Sequence, residues 1–313
     1  MVLVTRLLRP LTALAVVVVL ASGCTSGDAD AGRPDEAGGT TIGTDEAPQE
    51  RGPRLTYVAL GDSYTSGPGL PGADPDDPCR RAADNYPAQV AAALAASYRV
   101  ELRDRSCGGA DTTDLTSPQL PGPDGVPPQA DALDRGTDLV TVGLGGNDLG
   151  VFGELVGGCV ALGLQDPAGS PCTDAADRDG NPLDEAAPLI EQRLVDAVAE
   201  VRERAPRAQV LLVGYPQLVP ARGDCFDLLP SAAGALPLAR EVNRGLSDAV
   251  ERAAEASGVG YVDVWAASRG HDICAVRPWV IGQAGDPSGA VPFHPVPAEQ
   301  EAVARLVLEQ VEG

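Results

Sequence analysis

The chain has 313 residues, of which 43% are hydrophobic and 22% are charged, with 37 glycines and 28 prolines. This composition is typical of a globular, loop-rich protein and excludes collagen, a coiled coil and a wholly disordered chain. The formal net charge of −22 repels phosphate backbones, so nucleic acid is not expected as a partner.

The first 23 residues have the layout of a secretory signal. Arg6 and Arg9 precede an uncharged apolar run over residues 11–20, which is too short to span a bilayer. The next residues, Ala21-Ser22-Gly23-Cys24, resemble a bacterial lipobox, although Ala21 stands where Leu is usual. We therefore expect export, removal of residues 1–23 and lipidation of Cys24, which anchors the protein at the outer face of the cell membrane. The alternative is an ordinary cut nearby, which leaves Cys24 as a free thiol on a secreted protein.

Residues 24–53 predict a disordered acidic tether. They are mostly Gly, Asp, Glu, Thr, Pro and Ala, and they hold almost no large apolar side chains. Such a segment cannot bury enough apolar surface to order itself. It would link the membrane anchor to one folded domain over residues 54–313.

The cysteine count supports both export and lipidation. Seven is odd, and setting aside Cys24 leaves six cysteines, which in an exported chain indicate three disulfides. Fifteen pairings are possible, but the cysteines fall in three successive neighbourhoods, which favours Cys79–Cys107, Cys159–Cys172 and Cys225–Cys274. Neither histidine lies at ligand spacing from a cysteine pair and Cys-x-x-Cys is absent, so no metal is expected.

Alternating strand and helix patterns predict the fold. Nearly continuous apolar stretches indicate buried parallel strands at residues 55–60, 139–144, 209–214 and 259–264, with a weaker fifth candidate at 98–102. Between them, Asn85 can cap a helix that has Pro87 in its first turn. Helical spacing recurs in two later segments: Ile190, Leu194, Val198 and Val201, then Val303, Leu306, Val307 and Val311.

This order predicts an α/β fold, a three-layer α/β/α sandwich with a mainly parallel, five-stranded, flavodoxin-like sheet. Residues 66–84, 117–134 and 157–184 are long segments rich in Gly, Pro and Asp, which predicts functional loops.

Four short sequence blocks contain residues that could act in catalysis. Gly61-Asp62-Ser63 follows the first predicted strand, where a tight turn exposes the Ser63 hydroxyl and Asp62 stabilises the turn. Two further blocks follow strands: one contains Gly109, whose N–H can be aimed at a ligand, and the other contains Asn147, whose amide can donate. His294 precedes the last helix. Ligands bind beyond the carboxyl ends of parallel strands, so these blocks should converge.

Together the blocks resemble the SGNH hydrolase superfamily, also called the GDSL-type esterases and lipases, and especially its secreted actinobacterial branch with three disulfides. The resemblance extends from about residue 55 to the C-terminus. It implies that Ser63 is the nucleophile and His294 the general base and acid. It also implies an oxyanion hole formed by the N–H groups of Ser63 and Gly109 and the Asn147 side chain. No cofactor is required.

One position departs from the family pattern, in which an Asp three residues before the histidine orients its ring. Val291 stands there, so we expect its backbone carbonyl to accept the His294 ring N–H, with Asp286 as the alternative acceptor. His271 competes for the role of base because Asp272 follows it, but a structural role is favoured.

The resemblance implies a carboxylic ester hydrolase that acts on acyl esters or lipids. Two other functions remain open: a polysaccharide O-acetyl esterase on the same fold, and a non-catalytic lipoprotein that binds a ligand. No partner chain is indicated, and we expect a monomer.

Overall fold

The computed structural model describes residues 52–120, 125–179, 182–285 and 287–312. These residues belong to one compact unit, Glu50–Gly313. The predicted signal, Cys24, nearly all of the predicted tether and the side chain of Asp286 lie outside the described residues.

Five parallel strands form one sheet in the order β2-β1-β3-β4-β5. They are β1 Arg54–Gly61, β2 Arg99–Asp104, β3 Leu139–Gly143, β4 Gln209–Val213 and β5 Gly260–Val262. All five predicted strands are present, including the weaker candidate, and the predicted fold class is confirmed. The chain order reverses between β1 and β3, so the carboxyl ends of these two strands border the crevice where such sheets bind ligands.

Nine helices are described: α1 Ser63–Ser66, α2 Tyr86–Leu94, α3 Val151–Gly153, α4 Cys159–Gln165, α5 Pro171–Asp179, α6 Pro182–Arg204, α7 Leu236–Ser257, α8 Val264–Ala267 and α9 Pro297–Glu312. A π-helical turn, Glu154–Gly158, joins α3 to α4. Short 3₁₀ turns occupy Thr112–Leu115, Gln129–Ala132, Asp148–Gly150 and Ala233–Ala235.

Side chains alternate between the two faces of the sheet along each strand. Both faces carry buried apolar side chains, and helices cover both. Val58 and Leu60 of β1 belong to a buried cluster with residues of α6 and α7. Tyr57 and Ala59 point to the other face, where they join residues of α2 and α9. The predicted helical positions in α6 and α9 therefore lie in the core or pack against it, whereas α7 was not singled out by the sequence.

The predicted loop over residues 157–184 is wrong, because it contains α4, α5 and the start of α6. The prolines of this segment favoured a loop, but two of them begin helices. Pro171 is the first residue of α5 and Pro182 the first of α6, and a helix tolerates proline there because the N–H at that position has no partner in the helix.

Three disulfides join Cys79 to Cys107, Cys159 to Cys172 and Cys225 to Cys274. These are the pairs that the order of the cysteines favoured. The first ties the segment after α1 to the segment after β2, and the second joins α4 to α5.

Candidate active site

Ser63 begins α1, immediately after β1, and is buried, so the predicted exposure of its hydroxyl is corrected: the short helix starts inside the packed carboxyl end of the sheet. Asp62 caps this short helix, since its Oδ1 accepts the backbone N–H of Tyr64 at 2.8 Å. The helix ends after one turn at Gly67, whose φ of 68° is a left-handed conformation that favours glycine. The Ser63 backbone is thereby held in a tight turn at the carboxyl end of a central strand.

Asp62 is also linked to a second part of the site through Tyr215. The Tyr215 hydroxyl donates to Asp62 Oδ2 at 2.6 Å. Burial raises the pKa of Asp62 to about 7, although the hydrogen bonds from Tyr215 and from the Tyr64 N–H oppose that shift. Asp62 therefore does more than stabilise its own turn.

Tyr215 uses the same hydroxyl to accept the backbone N–H of Gly146 at 2.9 Å. A Cβ on Gly146 would lie 3.1 Å from the Tyr215 ring, so glycine permits this close approach. The hydroxyl thus connects the Ser63 turn to the loop that carries Asn147. The sequence analysis missed Tyr215; the available signal was its position two residues after β4, where ligand-facing side chains are expected.

The blocks of Gly109 and Asn147 are fastened to each other. Asn147 Nδ2 donates to the Ala110 carbonyl at 2.9 Å. The next residue, Asp148, is fully buried and accepts hydrogen bonds from the Thr112 N–H at 2.9 Å and the Thr112 hydroxyl at 2.5 Å. Arg193 compensates the Asp148 charge, with a nitrogen 2.8 Å from its carboxylate.

Two backbone donors of the site have no acceptor among the described residues. Gly109 is exposed and has a φ of 78°, a conformation that favours glycine. Over the described part of the chain, no hydrogen bond uses the N–H of Gly109 or that of Ser63.

His294 lies beside the Ser63 turn. Its ring centroid is 5.9 Å from that of Tyr64 and 6.1 Å from that of Phe152. The Tyr64 hydroxyl donates to the carbonyl of Phe293 at 2.8 Å, which ties the two segments together. The convergence of these blocks, expected from their positions after the strands, is thus present in the structure for the residues adjoining Ser63 and His294.

The acceptor for the His294 ring is the carbonyl of Pro292, 2.8 Å from Nδ1, and the prediction for Val291 is corrected. The Val291 carbonyl instead accepts the backbone N–H of His294 at 3.1 Å. Between them, Phe293 adopts a φ of 63°, which is unusual for a bulky residue and sets the direction of the next peptide groups.

This contact fixes the tautomer of His294. A carbonyl can only accept, so Nδ1 carries the proton and the neutral ring leaves Nε2 free to accept one. Burial lowers the pKa of His294 below its usual range, and the Pro292 carbonyl partly offsets that shift. The neutral, proton-accepting form is therefore favoured near neutral pH.

His271 has a different environment. Its ring stacks on Trp279 with centroids 4.9 Å apart, and its Nδ1 lies 2.7 Å from the Arg277 carbonyl. None of its described contacts reaches Ser63, Gly109 or Asn147. Throughout the described ranges, no group of three or more His, Cys, Asp or Glu side chains could hold a metal ion.

Comparisons with known proteins agree on one family. The model of the GDSL-like Lipase/Acylhydrolase family matches residues 59–302. The chain is 42% identical over 260 residues to Lipase 2 of Streptomyces coelicolor, which covers 80% of this chain and 83% of that protein.

Two solved structures are also similar. Phospholipase A1 from Streptomyces albidoflavus has a TM-score of 0.64 and 30% identity, covering 83% of this chain and 99% of its own. An extracellular lipase from Streptomyces rimosus has a TM-score of 0.63 and 26% identity, and the match covers 82% of this chain and 99% of the lipase chain.

Proposed function

The chain belongs to the GDSL-like lipase/acylhydrolase family and is an ester hydrolase, and we propose that it cleaves acyl esters through a covalent intermediate on Ser63. The observation that carries this mechanism is the position of His294, whose ring lies against Tyr64 and keeps Nε2 free. A serine hydroxyl is a poor nucleophile until a base accepts its proton.

In the proposed reaction, the Ser63 oxygen attacks the ester carbonyl while His294 Nε2 takes the hydroxyl proton. Collapse of the tetrahedral intermediate breaks the bond to the alcohol, which leaves with the proton returned by His294. Water, activated by the same ring, then attacks the acyl-enzyme and releases the acid, and Ser63 recovers its proton.

The oxyanion of each tetrahedral intermediate would bind three donors: the N–H groups of Ser63 and Gly109 and Nδ2 of Asn147. The two N–H groups are unused within the described protein, and the Asn147 amide has a second hydrogen besides the one given to Ala110. Donors that are already oriented need no reorganisation, and each contributes about 3 kcal/mol to the transition state.

We propose that the Pro292 carbonyl, rather than a carboxylate, orients His294. Asp286→Asn is therefore expected to change kcat by less than about twofold, because Nδ1 already has a 2.8 Å acceptor. Steady-state kinetics on a soluble nitrophenyl ester measures this. A loss of several hundredfold would assign the orienting role to Asp286 instead.

Tyr215→Phe is expected to lower kcat about tenfold with little change in KM, because it releases the Asn147 loop from the Ser63 turn. It also leaves buried Asp62 Oδ2 and the Gly146 N–H without their shared partner, at a cost of about 1–3 kcal/mol in the free energy of unfolding. Kinetics and thermal melting measure the two effects.

Tyr261→Phe is the matched control for this prediction. Its hydroxyl contacts Ser247 Oγ at 3.2 Å, apart from the four blocks. We expect kcat to stay at the wild-type value in this variant. Equal kcat values for the two variants would show that the Tyr215 hydroxyl does not contribute to kcat.

We also propose that the protein is exported by residues 1–23 and anchored through lipidated Cys24 on the tether of residues 24–53. Three disulfides support an oxidising compartment outside the cytoplasm. Mass spectrometry of the N-terminal peptide from cell membranes tests the anchor: a diacylglyceryl Cys24 is expected, and a free thiol or an N-terminus elsewhere contradicts it.

Fatty acyl esters, including phospholipids, are the proposed substrates. The phospholipase A1 named among the similar structures supports a lipid ester, and a lipid would also be within reach of a membrane-anchored enzyme. A nitrophenyl ester series of increasing chain length, measured beside an acetylated glycan, tests this. We expect kcat/KM to rise for chains longer than acetate; preferential release of acetate from the glycan would favour the polysaccharide esterase.

A further inference from the structure

The segment from Leu149 to Leu164 is apolar on both of its faces. On the inner side, Val151, Leu155 and Val160 are buried in the core. On the outer side, Leu149 is 45% and Leu164 is 53% exposed, and between them Phe152 and Val156 are half-buried, with part of each side chain packed against the core. A helix that is apolar all round is ordinarily found inside a protein core or a membrane. We call the outer side, formed by Leu149, Phe152, Val156, Ala161 and Leu164, the apolar face.

The apolar face differs from the rest of the chain in charge. Glu154, which is exposed, is the one charged residue between positions 149 and 164, whereas 22% of the whole chain is charged. By length and composition alone, Asp148–Gln165 could cross a membrane, yet only 28% of its residues are buried in the structure. Exposure of such a surface to water is unfavourable in free energy, and exposed apolar patches often mark sites of contact with a protein or a membrane.

The segment is nevertheless part of the folded domain. The salt bridge from Arg193 to Asp148 holds its beginning, and the Cys159–Cys172 disulfide holds its end. Leu149 and Gly150 have positive φ values of 58° and 73°, and a π-helical turn follows, so it is not a straight spanning helix. These features indicate a fixed surface of the folded domain.

The apolar face continues into the candidate active site. The Phe152 ring lies 5.7 Å from the Tyr64 ring and 6.1 Å from the His294 ring, measured between centroids. Asn147 comes two residues before Leu149. The Phe152 end of the apolar face therefore lies beside Tyr64 and His294, the residues that adjoin the Ser63 turn.

We propose that the apolar face docks onto an uncharged or zwitterionic lipid surface and delivers lipid esters from it to Ser63. This inference rests on the proposed function, since the delivered ester must be a substrate. No basic residue lies between positions 149 and 164, and the chain has a net charge of −22, so an anionic lipid surface would repel the protein.

The test is vesicle binding by residues 25–313, which lack Cys24 and so carry no acyl anchor, in a Ser63→Ala background that prevents hydrolysis. We expect cosedimentation with phosphatidylcholine vesicles and weaker binding to phosphatidylglycerol vesicles. Leu149→Gln combined with Leu164→Gln should reduce partitioning by at least about tenfold, because two exposed leucines no longer enter the lipid.

Tyr98→Gln is the matched control. Tyr98 is 38% exposed and directly precedes β2, at the amino end of the parallel strands, whereas the site lies beyond their carboxyl ends, so its loss should leave binding unchanged. Melting temperatures of all variants should stay close to that of the parent, which shows that the fold is intact.

Several outcomes would overturn the docking inference. They are no binding to phosphatidylcholine, binding unaffected by the double variant, stronger binding to phosphatidylglycerol, or a dimer in size-exclusion chromatography that the double variant dissociates. Failure of the proposed function is a separate result: the chain with Ser63 intact would then cleave no ester, while vesicle binding by the Ser63→Ala protein would persist.

Discussion

We expect His294→Gln to lower kcat by about 10⁴- to 10⁶-fold with little change in KM, because the ring is the proposed acceptor of the Ser63 proton. Its Nδ1 is committed to the Pro292 carbonyl, so Nε2 is the nitrogen that performs the transfer. Glutamine keeps a polar group of similar size but cannot take up and return a proton. Steady-state kinetics on a soluble nitrophenyl ester measures the change.

The chain supplies its own control for this prediction, because its only other histidine is His271. His271→Gln removes a ring that stacks on Trp279, and it should leave kcat within a factor of about two of wild type. A large loss in His271→Gln with little loss in His294→Gln would exchange their roles and reject the proposed mechanism.

The second large effect is expected at Asn147. Asn147→Ala should lower kcat about 10²- to 10³-fold, because it removes one of three proposed oxyanion donors. KM should change little if the contact forms mainly in the transition state. The variant also loses the 2.9 Å hydrogen bond to the Ala110 carbonyl, which costs about 1 kcal/mol of stability.

Stability and catalysis can be separated at this position. Thermal melting reports the structural cost, and kinetics below the melting transition reports the catalytic one. Because Asp148 holds the two loops together through Thr112 independently of Asn147, the fold should survive the substitution. A loss of kcat below tenfold would exclude Asn147 from the oxyanion hole.

The sequence was sufficient to predict the sheet, because buried parallel strands are read directly from continuous apolar stretches such as residues 139–144. It also placed Ser63 and Asn147 at the carboxyl ends of β1 and β3, since a parallel sheet gathers those ends at one edge. The disulfide pairs followed because neighbouring cysteines in the chain are also neighbours in the fold.

Two contacts of the site could not be predicted in the same way. The choice between the Val291 and Pro292 carbonyls depends on the direction of two adjacent peptide groups, which the positive φ of Phe293 determines. Likewise, the link from Tyr215 to both Asp62 and Gly146 joins positions 153 and 69 residues apart along the chain. Neither contact follows from residue type: the first depends on the path of the backbone at Phe293, and the second joins positions far apart in the chain.

The most direct measurement of the central claim is covalent labelling with a fluorophosphonate, followed by mapping of the adduct by mass spectrometry. The account predicts a single adduct on Ser63, which is absent in Ser63→Ala and forms far more slowly in His294→Gln while His271→Gln labels normally. An unlabelled protein, an adduct on another serine, or labelling of Ser63 at an unchanged rate in His294→Gln would contradict it.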